Sequence, residues 1–404
     1  MEHLTLLYKK WAGAEPVSVM ALPGAGSNRC YYRFTGPDGR TAIGVVGTSR
    51  DENHAFIYLT RHFTLRKLPV PQILAVADDG LRYLQTDLGD RSLFDALAKG
   101  RAAGGRYTAD ERDLLLRTII RLPELQIRGA RGLDFSQCYP QTEMDRTSVL
   151  FDLNYFKYCF LKATGLDFHE LKLEAGFQLM AKELTQHRSE AFLYRDFQAR
   201  NVMLDPSGNP FFIDYQGGRK GPIQYDVASF LWQASAKYSA ELRRELTDAY
   251  IASLKQYTEV NEVEFRATLE RFVLFRVLQV LGAYGFRGYF ERKKHFLESI
   301  PPAMQNLREL LAAGACPYPY LNRVLTELTE LPQFRLREEQ TVTRSDGYRT
   351  ADVNVYKAHV KDGPATFSKY DGKGPLKVRV FSFSFRPFPN TTAKGRSRYV
   401  CSVS

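Results

Sequence analysis

The sequence predicts an α+β protein of two lobes, a small antiparallel-sheet lobe followed by a mainly helical one, with a poorly ordered basic tail behind them. Three observations predict it. Residues 1–90 alternate short β-like runs with turn signals, residues 91–330 are dominated by apolar residues at helical spacing, and residues 331–404 lose periodicity while collecting positive charge. At 404 residues and 44% hydrophobic content the chain can bury a substantial core.

Taken in order, SNRCYYRFTG and RTAIGVVG form a hairpin, with Pro37, Asp38 and Gly39 supplying the turn. In DENHAFIYLTRHFTLRKL the spacing of Phe56, Leu59 and Phe63 predicts a helix. A break at Pro69 and Pro71 leads into two further strands, ILAVAD and RYLQTDLG. From about Ser92 onward ERDLLLRTIIRLPELQ, TSVLFDLNYFKYCFLKATG and FHELKLEAGFQLMAKELTQHR are amphipathic. Two short strands follow, NVML and PFFID, split by the turn DPSGNP, and beyond Gly221 the pattern is helical again. No internal repeat interrupts this order. Residues beyond Pro332 are polar and turn-rich, with one alternating strand from Leu376 to Phe385.

The formal charge of +11 is concentrated at the end: residues 331–404 carry 14 Lys and Arg against 6 Asp and Glu, leaving 42 against 39 in the first 330. A solvated, flexible segment is the commonest meaning of such a tail, and nucleic-acid contact through it is the lesser alternative. Five widely spaced cysteines without a C-x-x-C pair read as reduced thiols. No run approaches the roughly 18 apolar residues of a membrane span, and the expectation is a cytoplasmic protein with no membrane partner.

The chemistry is concentrated in YRDFQARNVMLDPSGNPFFIDYQGGRKGP, residues 194–222. Each of its polar residues alone would pass for a turn or cap. Together, Asp196, Asn201 and Asp214 suit phosphoryl transfer, which needs a carboxylate to orient and deprotonate a hydroxyl and hard oxygen ligands to hold Mg²⁺ against nucleotide phosphates. Asp196 is then the base, and Asn201 and Asp214 are the metal ligands.

The spacing Y-R-D-x-x-x-x-N, followed by I-D-Y and by G-P-x-x-Y-D-V-A, resembles the aminoglycoside phosphotransferase and choline kinase superfamily, the small-molecule branch of the protein-kinase-like fold. LPGAGSNRCYYRF, YLQTDLGDRSLFD and IDYQGGRKGPIQYDVASFL are most similar to the sugar kinases that phosphorylate the anomeric hydroxyl of N-acetylmuramate or N-acetylglucosamine. The resemblance covers residues 15 to 315. It implies a bilobal kinase fold with a nucleotide-binding N-lobe over residues 1–90 and a C-lobe over 91–330, using ATP and Mg²⁺ and a small-molecule hydroxyl as acceptor.

Position by position, the resemblance makes Asp196 the base, with Arg200 and Gln198 in the catalytic loop near phosphates or substrate. It makes Asp226 a structural acid that braces the loop. Gly24, Gly26 and Ser27 would form the loop over the ATP phosphates, and the stretch from Gln85 to Asp90, including Asp87, the adenine hinge. Glu143, Asp145 and Asp152, with the nearby aromatics Tyr155 and Phe156, are candidates for holding sugar hydroxyls. Arg219 and Lys220 are candidates for an anionic group on the acceptor.

Two departures stand out. Tyr194 occupies the position where the family usually has histidine, and TAIGVVGTS lacks the phosphate-gripping lysine that protein kinases place on that strand. Arg29, Arg33 or Arg50 could supply the charge, since a guanidinium grips phosphate oxygens in a bidentate manner. Glu52 then reads as N-terminal charge compensation for its helix. The tail stretch GPLKVRVFSFSF is similar to the opening strand of the C-terminal domain of the RNase adaptor RapZ family, truncated after it. An alternative reading of the whole is a nucleotide-sensing or RNA-binding regulator built on a degenerate kinase body.

Overall fold

The computed structural model describes residues 1–23, 29–186 and 189–334, together with two short strands further on, Lys357–His359 and Thr366–Ser368. The chain divides into two units, Met1–Arg335 and Leu336–Ser404. Of the second unit, the described part is the antiparallel pairing of those two strands, in a segment whose composition reads as a linker. The RapZ-like strand at 376–385 lies outside the described residues.

The first unit begins with a helix and a strand that the sequence pattern did not announce, α1 (Glu2–Ala12) and β1 (Ser18–Ala21). The hairpin follows as β2 (Cys30–Thr35) and β3 (Thr41–Val46), then the helix α2 (Arg50–Leu65), and then β4 (Ile73–Val76) and β5 (Arg82–Thr86). These make one antiparallel five-stranded sheet in the order β1-β2-β3-β5-β4.

Alternation along the strands gives the sheet two jobs. Phe34, Ala42 and Leu84 face α1 and form a small core with Leu4 and Tyr8. Gly44 belongs to that face, where a Cβ would stand 2.6 Å from Phe34 Cε2 and 2.8 Å from Leu4 Cδ2. Tyr31, Arg33, Ile43, Tyr83 and Gln85 come from the opposite face and line a cavity.

Short helices α3 (Leu93–Ala96) and α4 (Ala98–Ala102) lead into the helical lobe: α5 (Ala109–Ile119), α6 (Arg146–Phe156), α7 (Glu170–Leu184), α8 (Gln224–Leu231), α9 (Ala240–Leu254), α10 (Glu262–Gly285), α11 (Lys294–Ala312) and α12 (Pro319–Thr329). Between α7 and α8 lie two two-stranded ladders, β6 (Phe192–Leu193) with β9 (Arg219–Lys220), and β7 (Val202–Leu204) with β8 (Pro210–Phe212).

The lobe is organised on α10, which is buried along much of its 24 residues and packs against α6, α8 and α11. Gly282 and Gly285 allow the close approach to α6 and the turn after it: a Cβ on Gly285 would stand 2.2 Å from the Cys159 carbonyl oxygen. The two lobes share one continuous core, in which Phe56 and Phe63 of α2 meet Phe192 and Tyr215 of the helical lobe.

Candidate active site

The stretch from Tyr194 to Asp214 is built as a frame around a buried carboxylate. Asp226, in the first turn of α8, is fully buried and accepts from the backbone N–H of Tyr194 at 2.8 Å, the backbone N–H of Arg195 at 2.9 Å and Gln126 Nε2 at 2.8 Å. Gln126 sits in a one-turn π-helical segment (Glu124–Arg128) and accepts in turn from the Tyr250 hydroxyl at 2.5 Å. Burial pushes the Asp226 carboxyl up to about 7, against the pull of the three N–H donors.

Tyr194 completes the frame. It is fully buried, its ring meets Phe197, Phe212 and Tyr215 edge-on, and its hydroxyl donates to the backbone carbonyls of Asn201, at 3.2 Å, and of Ile213. One phenol therefore ties together the segments that carry the two candidate metal ligands. A histidine at this position would have no hydroxyl to do this.

On that frame the site residues are held by short local bonds. Asn201 donates through Nδ2 to the Asp196 carbonyl at 2.8 Å, which turns its amide oxygen away from that carbonyl. Asp214 is half-buried with φ of +64°, a left-handed conformation that costs a non-glycine residue about 1–3 kcal/mol and that clusters at functional positions. Gln216 Nε2 donates to Asp214 Oδ1 at 2.8 Å. Burial raises the Asp214 carboxyl and the charge of Asp196 adds to the rise, while Gln216 and Arg29 pull it down. Asp196 is by contrast half-exposed, with 51% of its side chain accessible. Arg195 takes a left-handed φ of +81° between Tyr194 and Asp196.

A cavity of about 780 Å³ runs from the sheet face past Asn201, Asp214 and Gln216 to α10 and α11, and Asp196 stands beside its lining residue Arg276, at 3.9 Å. Near the sheet and the β7–β8 ladder it is lined by Arg29, Arg33, Gln85, Asp87, Asn201 and Asp214. Gln198 and Arg200 line it as well, Arg200 lying 4.2 Å over the Phe94 ring. Gly24, Gly26 and Ser27 lie outside the described residues.

The three arginines that could replace the missing lysine are separated by their partners. Arg33 is committed to the hinge: Nε and Nη2 donate to Asp87 at 2.6 and 3.0 Å, and Nη1 reaches Asp90 at 2.8 Å. Burial would raise the Asp87 carboxyl, but Arg33 and the Gly89 amide hold it below the ordinary range, so this carboxylate is spent on the Arg33 pair and on the turn at Gly89. Arg50 is exposed at the start of α2. Arg29 is buried, lines the cavity and lies 3.2 Å from Glu52, and its charge is felt at Asp214. Glu52 does stand in the first turn of α2, which Ser49 caps, yet its carboxylate also pairs with Arg29. The cleft-facing position of β3 beside Ile43 is Val45, fully buried.

The acidic residues offered for sugar hydroxyls are not brought to the cavity. Glu143 pairs with Lys220 at 3.3 Å, and Lys220 also reaches Glu190. Asp145 caps α6, accepting from the Ser148 amide at 2.7 Å and its hydroxyl at 2.6 Å. Asp152 is buried against Arg195 at 3.0 Å and accepts from Gln279 at 2.9 Å. Arg219 is buried too, bonded to Gln141 and to the Gly217 carbonyl, with its pKa lowered by burial to about 10. Of the two aromatics, Phe156 is core. The far end of the cavity is formed instead by Trp232, Arg276, Tyr284, His295 and Phe296, which the sequence reading did not single out.

Fold and site together define an ATP-dependent phosphotransferase acting on a small-molecule hydroxyl. The chain belongs to the phosphotransferase enzyme family, whose pattern matches residues 18–262. It is similar to an N-acetylmuramate/N-acetylglucosamine kinase of Neisseria meningitidis, at 27% identity over 290 residues, covering 70% of this chain and 82% of the relative. A kinase of the same name from Pseudomonas aeruginosa is 23% identical over 330 residues, covering 80% of this chain and 91% of that one.

Among solved structures, amicoumacin kinase hAmiN in complex with AMP-PNP, Ca²⁺ and Ami aligns with a TM-score of 0.54 at 12% identity, covering 73% of this chain and 88% of that one. Choline kinase LicA from Streptococcus pneumoniae aligns with 0.51 at 11% identity, covering 77% and 99%. These show the bilobal kinase-like fold. Among the described residues no helix is long and apolar enough to cross a membrane.

Proposed function

We propose that this enzyme transfers the γ-phosphate of ATP to a hydroxyl of an N-acetylated amino sugar of the N-acetylmuramate/N-acetylglucosamine type. The observation that carries the choice of acceptor is the charge of the cavity's far end. Its described lining there offers two guanidiniums, Arg200 and Arg276, and the His295 ring against one nearby carboxylate, Asp196, whereas the lining carboxylates, Asp87, Asp90 and Asp214, belong to the hinge and the metal side. A polycationic antibiotic or a quaternary amine would meet like charge there, at a cost of several kcal/mol. A neutral or carboxylate-bearing sugar meets hydrogen-bond donors and the rings of Trp232, Tyr284 and Phe296. The sugar named for the two bacterial relatives fits that description.

In this reading Asp196 accepts the proton of the acceptor hydroxyl as its oxygen bonds to the γ-phosphorus, and the bond to the β-phosphate oxygen breaks, leaving ADP. Asn201 and Asp214 supply hard oxygen donors suited to Mg²⁺, which takes few protein ligands and fills its shell from phosphates and water. Bound there, the ion would offset charge on the phosphates. Arg29, paired with Glu52, grips the phosphates in place of the absent lysine. Adenine lies along the hinge from Gln85 to Asp90.

The test is a panel of acceptors, N-acetylmuramate and N-acetylglucosamine against kanamycin and choline, scored by ATP consumption. The expected kcat/KM is about 100-fold or more in favour of the N-acetyl sugars, the size that ~3 kcal/mol of like-charge repulsion produces. Preference for either cationic acceptor overturns the assignment. For Arg29, substitution by Met should weaken ATP binding about 10- to 100-fold, as loss of a charge-assisted hydrogen bond does, with Lys recovering part. Titration calorimetry giving an unchanged Kd would remove Arg29 from that role.

A further inference from the structure

The long helix α10 contributes a charged side chain to the site that lies outside the catalytic-loop motif. Arg276 lies near the middle of that helix, with 11% of its side chain accessible, and lines the cavity. Nη1 donates to the Tyr225 hydroxyl at 3.0 Å and to Gln279 Oε1, and the guanidinium stands 5.5 Å over the Tyr225 ring. Nη2 is 3.9 Å from Asp196 Oδ1.

Its two hydrogen-bonded partners are neutral, and both are anchored. Tyr225 donates to Gln279 Oε1 at 2.5 Å, and Gln279 donates through Nε2 to Asp152 Oδ2 at 2.9 Å. Asp152 is itself paired with Arg195, the residue before Asp196, at 3.0 Å. Burying a guanidinium against neutral partners is costly unless a carboxylate balances it. Asp152 stands against Arg195, and the carboxylate in ionic contact with Arg276 is Asp196.

We infer that Arg276 is a positioning residue for phosphoryl transfer, fixing the carboxylate of Asp196 through their ionic contact while Tyr225 and Gln279 fix the guanidinium. At 3.9 Å the contact is ionic and not a hydrogen bond, so it restrains the carboxylate without occupying the lone pair that takes the acceptor's proton. The chain of contacts runs from α6 through α10 to the catalytic loop, so the loop is referenced to the packed helical core. This rests on the reading of Asp196 as the base.

The experiment compares Arg276→Ala, Arg276→Lys and Tyr225→Phe with Asp196→Asn in the full chain, measuring kcat, acceptor KM, ATP Kd and thermal melting. Arg276→Ala should lose about 10- to 100-fold in kcat, the penalty for a misplaced catalytic group, with ATP Kd within about threefold of wild type and any change in acceptor KM smaller than the loss in kcat, since the same guanidinium also lines the acceptor end. Added guanidinium or the Lys variant should recover part of kcat, and Tyr225→Phe should give a smaller loss of the same kind. A folded Arg276→Ala that keeps wild-type kcat, or whose loss neither guanidinium nor Lys recovers, overturns the inference. If Arg276→Ala does not fold, the uncharged Arg276→Gln takes its place beside Tyr225→Phe: unchanged kcat in both overturns it. Should Asp196→Asn remain active, the fault lies in the reading of the base. An inactive Asp196→Asn beside fully active Arg276 variants refutes the role of Arg276 alone.

Discussion

Asp196→Asn is expected to fold and bind ATP like the wild type while losing about 10²- to 10⁴-fold in kcat, the range a general base supplies. The physical reason for intact folding is local. The carboxylate is half-exposed and its ionic contact with Arg276 is 3.9 Å long, whereas the structural contact at this position is the backbone carbonyl that accepts from Asn201, which the substitution leaves in place. A coupled ATP-consumption assay beside a thermal melt checks both halves. Retained turnover would remove Asp196 from the role of base, and a collapsed melt would show that the side chain holds the loop.

Asp226→Asn reverses that pattern. Three N–H donors converge on the Asp226 carboxylate, from Tyr194, Arg195 and Gln126, and an amide replaces one acceptor oxygen by a donor. At least one buried N–H then faces another, at a cost of about 1–3 kcal/mol for each unsatisfied group. Stability should fall by about 2–4 kcal/mol and kcat by about tenfold or more, because the backbone that presents Asp196 loses its brace. Urea unfolding and steady-state kinetics read the two.

The pH dependence has a definite sign. The folded carboxyl lies at about 7, above the unfolded value of about 3.9, so the folded state keeps this proton longer. Its contribution to stability is full below the unfolded pKa and is lost as pH rises through about 7. Asp226→Asn lacks that slope, and the stability gap between wild type and variant should narrow from pH 5 to pH 8. A gap that widens over that range means that the N–H donors of Tyr194, Arg195 and Gln126 outweigh burial and hold this carboxyl ionised, which overturns its upward shift.

Much of the site is legible in the sequence because it is local. Asp196, Asn201 and Asp214 lie within one stretch of 19 residues, with a turn and two short strands whose chemistry is readable residue by residue. Asp226 follows 12 residues after Asp214, and the family spacing marks it. The cap at Asp145 is also open to reading, since Asp-x-x-Ser ahead of an apolar run is a helix-start signal. An acid beside aromatics suits a sugar contact equally well on paper, and the hydrogen bonds to Ser148 decide for the cap.

Periodicity and short-range spacing are enough to read the two-lobed α+β class, the order of the elements from β2 onward and the clustering of Asp196, Asn201 and Asp214, while α1 and β1 escape them. Tertiary packing alone places Arg29 buried on the cavity beside Glu52, spends Asp145 on a cap and Asp152 on an ion pair, and brings Arg276, 80 residues beyond Asp196, to its side. The reason is physical. A strand or helix pattern fixes which residues share a face, and in the otherwise apolar second half of α10 Arg276 and Gln279 mark one polar turn, but nothing along the chain says which segment that turn meets. That is set by close packing against α6 and α8, a property of side chains far apart in sequence meeting in one core.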